Sequence, residues 1–243
     1  MMAVLLAGGL GTRLRPYTMT IPKPLLPLGD KATMEIVLGQ LAAQRFTDVV
    51  ITLGHMPDLV KAMLGDGARF GLRIRYVIED QPLGTAGSLR LVDNLGLLDD
   101  TFLVMNGDLL TTIDYGGLVR EQHDRREAAT VVLTRRDVAI DYGVVYVDDD
   151  GNLDRYDEKP VLHHHVSTGV YALDRAVVQH VPAGRFDMPD LVRALVAAGD
   201  GVHCHITQEY WQDIGRFDDY QRASADFVAD PGRFLPDATP SAS

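Results

Sequence analysis

A short apolar run at the start of the chain, residues 2–7, stops at the glycine pair Gly8-Gly9. A continuous apolar run of this length is typical of a strand that is buried on both faces, as parallel strands are. Glycines placed directly after such a strand let the backbone turn sharply and approach a bound group closely. This feature favours folds in which a parallel sheet carries a loop at its carboxyl edge, where α/β proteins bind ligands.

The same pattern repeats through the first half of the chain. Three further apolar runs read as strands: 48–53, 74–79 and 101–108. Between them lie segments of helical character: one with apolar residues at Met34, Val37, Leu38 and Leu41, one opened by Pro57, and one from about Thr85. This alternation predicts an α/β fold, a Rossmann-like mixed and mainly parallel sheet with helices on both faces.

The second half of the chain has a different pattern of predicted secondary structure. Closely spaced strand-like runs predict a smaller β-rich extension that forms one side of a pocket: 129–136, 143–151, 153–160 and 166–173. Helices are expected over 188–199 and from about Arg216. We therefore expect one domain over 1–230, made of the halves 1–112 and 113–230. Residues 231–243 are rich in Pro, Ala, Ser and Asp, which predicts a flexible tail.

Composition narrows the function classes. A formal net charge of −11 over 243 residues gives no global basic footprint for nucleic acid, so phosphates must be held by local cations. The single cysteine, Cys204, excludes an internal disulfide and suits the cytoplasm; in its strand-like context we expect a core thiol. No run has membrane-spanning length. No hexapeptide array is seen, so we expect no left-handed β-helix domain, while a homo-oligomer stays compatible with the sequence.

The loop after the first strand is rich in glycine and cations, yet it matches neither of the two commonest phosphate signatures. The Walker A string, which ends in Gly-Lys-Ser/Thr, does not occur. The dinucleotide fingerprint fails because Leu14 stands where its last glycine should be. Arg13 and Lys23, the latter held between two prolines, nevertheless provide fixed positive charge. The loop therefore indicates a phosphate site of another type.

The whole stretch resembles the signature of the sugar-1-phosphate nucleotidyltransferases, also called nucleotide-sugar pyrophosphorylases. The matching strings run from about residue 2 to residue 228: Gly8-Gly9-Leu10-Gly11-Thr12-Arg13-Leu14, Pro16-Tyr17-Thr18, Pro22-Lys23-Pro24, Pro82-Leu83-Gly84-Thr85-Ala86, Asn106-Gly107-Asp108, Tyr142-Gly143, Glu158-Lys159-Pro160, Gly169-Val170-Tyr171 and Trp211-Gln212-Asp213-Ile214-Gly215. The strings at 82–87 and 211–220 are most similar to the mannose-1-phosphate guanylyltransferase-like branch.

The resemblance implies that a sugar 1-phosphate attacks the α-phosphorus of a nucleoside triphosphate and that pyrophosphate leaves. Two polyanions must then be neutralised and aligned, a task that suits Arg13 and Lys23 as the catalytic cations. The first half, 1–112, becomes the nucleotide-binding half, and 113–230 the sugar-phosphate half. The implied nucleotide contacts are Leu6, Ala7, Gly8, Gly9, Gly11, Thr12, Glu79, Gln81, Pro82, Gly84 and Thr85.

Two aspartates are candidate metal ligands. Mg²⁺ prefers one or two carboxylates together with phosphate oxygens and waters. Asp108 follows a predicted strand and a glycine, and Asp213 lies in an apolar segment where an unpaired carboxylate would be costly. Taken alone, Asp108 would read as a turn residue; within the ordered motifs we expect both to hold Mg²⁺. His163, His164 and His165 are instead expected to form a polar loop, because side chains alternate in a strand.

The sugar-phosphate contacts implied by the resemblance lie mostly in the second half: Asn106, Gly143, Glu158, Lys159, Ser167 and Gly169. Lys159 would bind the phosphate, and Glu158 would accept hydrogen bonds from sugar hydroxyls. The sequence departs from the family pattern where Lys31-Ala32 replaces Lys-Pro and where Ser167-Thr168-Gly169 replaces Asn-Ala-Gly. A hexose, a heptose and a cyclitol phosphate therefore all stay open.

Glu79 stands where the family often places a side chain that reads the base. A carboxylate only accepts hydrogen bonds, and guanine presents the N1–H and N2–H₂ donors side by side, so Glu79 favours GTP. Gln81 could take over in a shifted loop and would suit UTP or dTTP. A protein of another class, a regulatory relative that binds a nucleotide-sugar without making it, is disfavoured because Arg13, Lys23, Asp108 and Asp213 are all present.

Overall fold

The computed structural model describes residues 1–235. Its strands are β1 (Met2–Ala7), β2 (Pro27–Leu28), β3 (Lys31–Ala32), β4 (Asp48–Leu53), β5 (Arg73–Ile78), β6 (Thr101–Asn106), β7 (Leu109–Thr111), β8 (Ala129–Ala139), β9 (Val144–Val147), β10 (Leu153–Asp157), β11 (Val161–Asp174), β12 (Val202–Thr207) and β13 (Trp211–Asp213). Its α-helices are α1 (Thr33–Ala43), α2 (Pro57–Leu64), α3 (Gly84–Asn94), α4 (Tyr115–Arg125), α5 (Met188–Ala198), α6 (Phe217–Ala229) and α7 (Pro231–Phe234).

The centre of the fold is a seven-stranded sheet in the order β12-β8-β11-β6-β1-β4-β5. Strand β11 runs antiparallel to both of its neighbours, and the other four pairings are parallel. The predicted mixed, mainly parallel sheet is confirmed. In register, Leu6 of β1 lies beside Thr52 of β4 and Asn106 of β6, so the carboxyl ends of these three strands meet at one edge.

Helices cover both faces of this sheet, as the alternating pattern predicts. One apolar cluster joins the sheet to α1, α2 and α4, and a second joins the opposite face to α3 and α5. Helix α4 was not anticipated, because Gly116 and Gly117 and many charged residues obscure its apolar stripe. The part of the chain that the structure describes contains no helix both long and apolar enough to cross a membrane.

A third apolar cluster lies outside the main sheet and supports the glycine-rich loop. It joins Leu14 of that loop to Leu110 of β7, to Ile214 directly after β13, and to Phe227 of α6 and Phe234 of α7. Strands β7 and β13 pair antiparallel, with Leu109 opposite Asp213. The loop and the strand pair therefore rest on one packed layer; Asp108 directly precedes β7 and Asp213 is the last residue of β13.

The β-rich extension is present, but its strands differ in length from those predicted. Strands β8 and β11 run on beyond the sheet as a ribbon, and β9 and β10 form a two-stranded hairpin at its end. The polar loop expected at His163–His165 is wrong: these exposed residues lie in β11, where they pair with Arg135–Asp137 of β8. The backbone hydrogen bonds between two exposed strands form whether or not a face of the ribbon is buried, so polar side chains are tolerated there.

Three smaller expectations are also corrected. Cys204 lies in the expected strand but is exposed, because β12 is the edge of the sheet. The flexible tail expected from residue 231 is wrong for its first residues, since α7 forms and the Phe234 side chain is buried. The remainder of that prediction, 236–243, lies outside the described residues. The strand expected over 101–108 ends at Asn106 as β6, because Gly107 and Asp108 form a turn before β7 begins at Leu109.

Candidate active site

A cavity of about 520 Å³ opens at the edge where β1, β4 and β6 end. Its lining includes most of the expected nucleotide contacts and both candidate cations: Leu6, Ala7, Gly8, Gly9, Gly11, Thr12, Arg13, Lys23, Glu79, Pro82, Gly84, Thr85, Asn106 and Asp108. A wider depression of about 770 Å³ lies at residues 90–100 and 174–179. Its two arginines are already bonded, Arg90 to the Val181 carbonyl and Arg175 to Asp93, so it offers less to a phosphate.

The glycine-rich loop is folded tightly rather than extended. It makes three successive 3₁₀ turns, at Thr12–Leu14, Tyr17–Met19 and Lys23–Leu25. Gly11 has φ +60°, and its carbonyl accepts a 2.7 Å hydrogen bond from Thr18 Oγ1. A Cβ atom at Gly11 would lie 2.9 Å from Thr18 Cγ2. Glycine is therefore required there both by the left-handed backbone and by close packing.

Lys23 is fixed by its own short turn. The Leu25 N–H donates to the Pro22 carbonyl at 2.8 Å, and Pro24 and Leu25 are buried. The Lys23 ammonium contacts the Asp108 carboxylate, and only 12% of the Lys23 side chain is exposed. Burial lowers the pKa of Lys23 to about 8; the Asp213 carboxylate opposes this shift and the Arg13 guanidinium adds to it. The site thus holds a cation whose charge is poised near neutral pH.

Arg13 and Asp213 meet at Gly215. A Cβ atom on Gly215 would lie 2.9 Å from Asp213 Oδ2 and 3.3 Å from an Arg13 guanidinium nitrogen. The neighbouring Ile214 N–H donates to the Asp108 carbonyl at 3.0 Å, which ties the two aspartate segments together. The absence of a side chain at position 215 therefore lets the guanidinium and the carboxylate approach the same corner of the cavity, which Arg13 and Gly215 line and Asp213 does not.

The carboxylates in this corner suit a divalent cation bound together with substrate phosphates. Residues 1–235 contain no cluster of three or more histidine, cysteine or acidic side chains that would enclose a metal by itself. A site of this kind takes one or two carboxylates and completes its shell with phosphate oxygens and water. Asp108 and Asp213 supply those carboxylates from adjacent segments. Because Lys23 contacts Asp108, a bound cation would share that carboxylate or displace the ammonium from it.

The other end of the cavity is organised around Glu79. This side chain is buried; its Oε1 accepts a 2.7 Å hydrogen bond from Ser88 Oγ, and its Oε2 accepts from the Leu83 N–H at 3.2 Å. A Cβ atom on Gly8 would lie only 2.9 Å from Glu79 Oε1, so the glycine makes room for the carboxylate. Each carboxylate oxygen keeps a further lone pair for a ligand. Gln81, the alternative base reader, is exposed and does not line the cavity.

The N-terminus of α3 is closed by a loop from far along the chain. Asp187 accepts a 3.0 Å hydrogen bond from the Thr85 N–H, and the Phe186 carbonyl accepts from the N–H groups of Ala86 and Gly87 at 2.9 Å. This loop brings Arg185 to the cavity wall. Sequence reasoning did not identify Arg185, because no motif marks it and its closeness depends on a contact about 100 residues away in sequence.

The expected sugar-side residues are more widely distributed. Gly169 has φ +76° and packs against the Asn106 amide, since a Cβ there would lie 2.5 Å from Asn106 Nδ2. Gly143, Glu158 and Lys159 lie on the extension, outside the cavity lining. The space beside Gly143 is filled by Tyr156 and is not open to a ligand. The Tyr156 hydroxyl also donates a 3.2 Å hydrogen bond to Glu158 Oε2.

Ser167 begins a bulge in the pairing of β11 with β8. Its hydroxyl lies 3.0 Å from the Tyr171 hydroxyl and does not reach the cavity. The adjacent Thr168 is buried, and its carbonyl accepts a 2.8 Å hydrogen bond from the Trp211 indole N–H. Trp211 therefore links this bulge to β13, which ends in Asp213.

A cavity lined by glycines and cations at the carboxyl edge of an α/β sheet is the arrangement that nucleotide-binding folds share. A sequence profile of the nucleotidyl transferase family matches residues 2–229. The chain therefore belongs to the nucleotidyl transferase family.

Individual relatives agree with this assignment. The chain is 34% identical to a mannose-1-phosphate guanylyltransferase of Mycobacterium tuberculosis over 233 residues, which is 93% of this chain and 64% of the relative. It is 32% identical to a UTP–glucose-1-phosphate uridylyltransferase of Synechocystis over 241 residues, 92% of this chain and 62% of the relative. The chain thus spans a little less than two thirds of the length of these curated relatives.

Solved structures give the same architecture. A Bacillus anthracis protein with a provisional assignment as a glucose-1-phosphate thymidylyltransferase superposes with a TM-score of 0.74 at 28% identity, covering 93% of this chain and 94% of that one. HddC from Yersinia pseudotuberculosis superposes with a TM-score of 0.73 at 25% identity, covering 93% and 99%. The predicted fold class is confirmed by these neighbours.

Proposed function

We propose that the protein is a sugar-1-phosphate nucleotidyltransferase that transfers a nucleoside monophosphate from a triphosphate to a sugar 1-phosphate and releases pyrophosphate. One observation carries the proposal: Arg13, Lys23 and Asp108 line one end of a cavity with Asp213 beside them, and the buried Glu79 carboxylate lies at the other end. The charged end suits phosphates, and the end with a hydrogen-bond acceptor suits a base.

The reaction asks the protein for alignment and charge neutralisation rather than covalent chemistry. A phosphate oxygen of the sugar 1-phosphate forms the new bond to the α-phosphorus, and the bond between the α-phosphorus and the β-phosphate oxygen breaks. Arg13, with its planar fork of donors, is suited to hold the leaving pyrophosphate. Lys23, fixed by its turn, is suited to stabilise negative charge at the α-phosphate as the new bond forms.

Asp108 and Asp213 are proposed to hold Mg²⁺ together with the triphosphate. When bound, Mg²⁺ supplies Lewis-acid neutralisation of the phosphate oxygens. The residues of this chain then have separate tasks. The two carboxylates would hold the cation, and the Lys23 ammonium that contacts Asp108 would then be available to the substrate.

GTP is the proposed nucleotide, because Glu79 presents only acceptors to the base. Ser88 and the Leu83 N–H orient the carboxylate, and its remaining lone pairs match the adjacent N1–H and N2–H₂ groups of guanine. The proposed acceptor is a mannose-1-phosphate-like hexose, a heptose or a cyclitol phosphate, bound between the cavity and the extension that carries Glu158 and Lys159. The single cysteine and the soluble substrates suit a cytoplasmic location.

A second candidate is a UTP- or dTTP-dependent enzyme acting on glucose 1-phosphate. It is favoured by the named activity of the Synechocystis relative and by the provisional assignment of the Bacillus anthracis neighbour. Replacing Glu79 by Gln separates the two. If Glu79 reads guanine, the variant loses preference for GTP over UTP and dTTP; an unchanged preference would rule out this role for Glu79.

Pyrophosphate release from the purified protein tests the proposed reaction. The assay combines Mg²⁺ with each common nucleoside triphosphate and a panel of hexose, heptose and cyclitol 1-phosphates. The proposal expects release that requires both substrates, with GTP the best donor. Nucleotide-sugar binding without turnover of any pair would instead identify a binding or regulatory protein, and an absence of both binding and turnover would reject the nucleotide site itself.

A further inference from the structure

One hydroxyl group in the wall of the cavity has no partner. Thr52 lies on β4, next to Leu6 of β1 and Val77 of β5, and it lines the cavity. The residue is fully buried, and its Oγ1 forms no hydrogen bond with any of residues 1–235. A buried hydroxyl without a partner is unfavourable, and valine has nearly the same shape without that cost. Its presence therefore needs a reason beyond strand formation.

The other buried threonines show how unusual this is. Seven threonines are buried in the described part of the chain, and the other six all have hydrogen-bond partners: Thr18, Thr33, Thr111, Thr130, Thr168 and Thr207. Thr130 is the nearest counterpart, because it also lies on a central strand; its Oγ1 donates to Gln122 at 2.6 Å. Buried strand threonines in this protein are thus satisfied by default, and Thr52 alone faces the cavity unsatisfied.

The position of Thr52 indicates which part of a nucleotide could satisfy it. Val50, two residues earlier on the same face, packs in the cluster that contains α3, and α3 carries Ser88. Thr52 therefore lies on the Glu79 and Ser88 side of the cavity, away from the contact between Lys23 and Asp108. The Glu79 carboxylate can only accept hydrogen bonds there, and its two oxygens already accept one each from the Ser88 hydroxyl and the Leu83 N–H. A threonine hydroxyl adds a group that can also donate.

We infer that Thr52 is a further base-recognition residue, whose hydroxyl stays unpaired in the free protein and gains its hydrogen bond from the base of the bound nucleotide. This inference rests on the proposed function, because it requires a nucleotide with its base at the Glu79 end. The hydroxyl lies in the cavity wall but is shielded from water, so a base reaches it through a small shift of that wall on binding, and the new hydrogen bond then replaces no hydration. A donor beside the Glu79 carboxylate matches a purine or pyrimidine edge that offers both donors and an acceptor, such as O6 beside N1–H of guanine.

The test compares Thr52→Val with Thr130→Val as a matched control. Equilibrium binding of GTP, UTP, dTTP and inorganic triphosphate is measured with Mg²⁺, together with the melting temperature of each free protein. For Thr52→Val we expect affinity for the preferred nucleotide to fall about three- to tenfold, affinity for triphosphate to stay unchanged, and the melting temperature to stay equal or rise. Thr130→Val should lower the melting temperature and leave nucleotide affinity unchanged.

Three results would overturn the inference. Unchanged nucleotide affinity in Thr52→Val would show that the base does not use the hydroxyl. An equal loss for GTP and triphosphate would assign the contact to phosphates. A melting temperature lowered as much as in Thr130→Val would show that the hydroxyl already has a partner in the free protein. Wild-type protein that binds no nucleotide would reject the proposed function as well, whereas normal wild-type binding with an unaffected Thr52→Val rejects this inference only.

Discussion

The two sides of the candidate site are built in different ways. The nucleotide side rests on buried strand ends and on the third apolar cluster, and its charged groups already contact one another. The sugar side extends along a ribbon and a hairpin whose residues, among them Glu158 and Lys159, are exposed. A tightly packed support fixes groups before a ligand arrives, whereas exposed side chains take up one geometry only when a ligand holds them.

This difference separates two kinds of substitution effect. On the nucleotide side, removing a group disturbs both packing and chemistry, because the same residues serve both. On the sugar side, a side chain can be removed at little cost in stability, and the loss appears only with the sugar phosphate. The largest effects are therefore expected for substitutions on the nucleotide side, and the smallest for exposed side chains on the sugar side.

Lys23→Met should lower kcat/KM by about 10²–10³-fold, because a fixed charge near the transferred phosphorus is lost from a shielded site. The variant also leaves Asp108 without its ammonium contact. Steady-state pyrophosphate release measures the effect. Lys31→Met, an exposed lysine of β3, is the control and should leave kcat/KM unchanged. A loss of less than about threefold in Lys23→Met would remove this residue from the catalytic set.

Gly11→Ala and Gly151→Ala compare two glycines with positive φ, one on each side. Both variants incur backbone strain, commonly about 1–3 kcal/mol. At Gly11 the new Cβ also meets Thr18 at 2.9 Å, whereas at Gly151, in the turn of the hairpin, it meets nothing within 4 Å. Calorimetric titration with GTP should show at least a roughly tenfold loss of affinity for Gly11→Ala and none for Gly151→Ala. Equal affinities in the two variants would contradict a preformed nucleotide loop.

Deprotonation of Lys23 should make activity fall and stability rise as the pH increases. Its pKa is lowered from 10.5 to about 8, so kcat/KM should fall as the pH rises above about 8, by up to about tenfold per pH unit. Between pH 8 and 10.5 the unfolded chain holds this proton and the folded chain does not, so the contribution of Lys23 to stability rises over the same range.

Lys23→Arg is the control for this pH dependence. A guanidinium stays charged between pH 8 and 10.5, so kcat/KM of the variant should not fall over this pH range, even if the variant is slower overall. A pH profile that falls identically in wild type and Lys23→Arg would assign the titration to a different group.

Lys159→Ala should raise the KM for the sugar 1-phosphate by about three- to tenfold, the effect of losing one charge-assisted hydrogen bond. The free energy of unfolding should change by less than about 0.5 kcal/mol, since the residue is exposed. The KM for the nucleotide should not change, and Lys159→Arg should restore most of the lost affinity. An equal rise in both KM values would mean that the two sides are not separable.

The structure brings more of the residues expected on the nucleotide side into the cavity than of those expected on the sugar side, and for a physical reason. A buried parallel strand reads as an apolar run, and its carboxyl end places residues such as Leu6 at the site through register alone. The glycines after β1 mark a loop by a local conformational demand. The ribbon has neither an apolar run nor a conformationally required glycine to mark it, because exposed strands tolerate polar residues. For this reason the sequence of His163–His165 predicts a loop where the structure has a strand.

What the sequence missed depends on contacts between distant segments. Arg185 reaches the cavity because Asp187 caps α3, and Thr52 is notable only because nothing in the fold satisfies its hydroxyl. Cys204 looked like a core residue because no local pattern reveals that β12 is the edge of the sheet. Gly215 belongs to one of the sequence motifs, but its role as the meeting point of Arg13 and Asp213 depends on the pairing of β7 with β13.

The central claim, that the nucleotide side is complete before the sugar phosphate binds, is tested most directly by calorimetric titration of the wild-type protein with GTP and Mg²⁺ in the absence of any sugar phosphate. The account predicts saturable binding at one site, tighter for GTP than for UTP or dTTP, and the same affinity in Lys159→Ala. Nucleotide binding that appears only after a sugar 1-phosphate is added would contradict it.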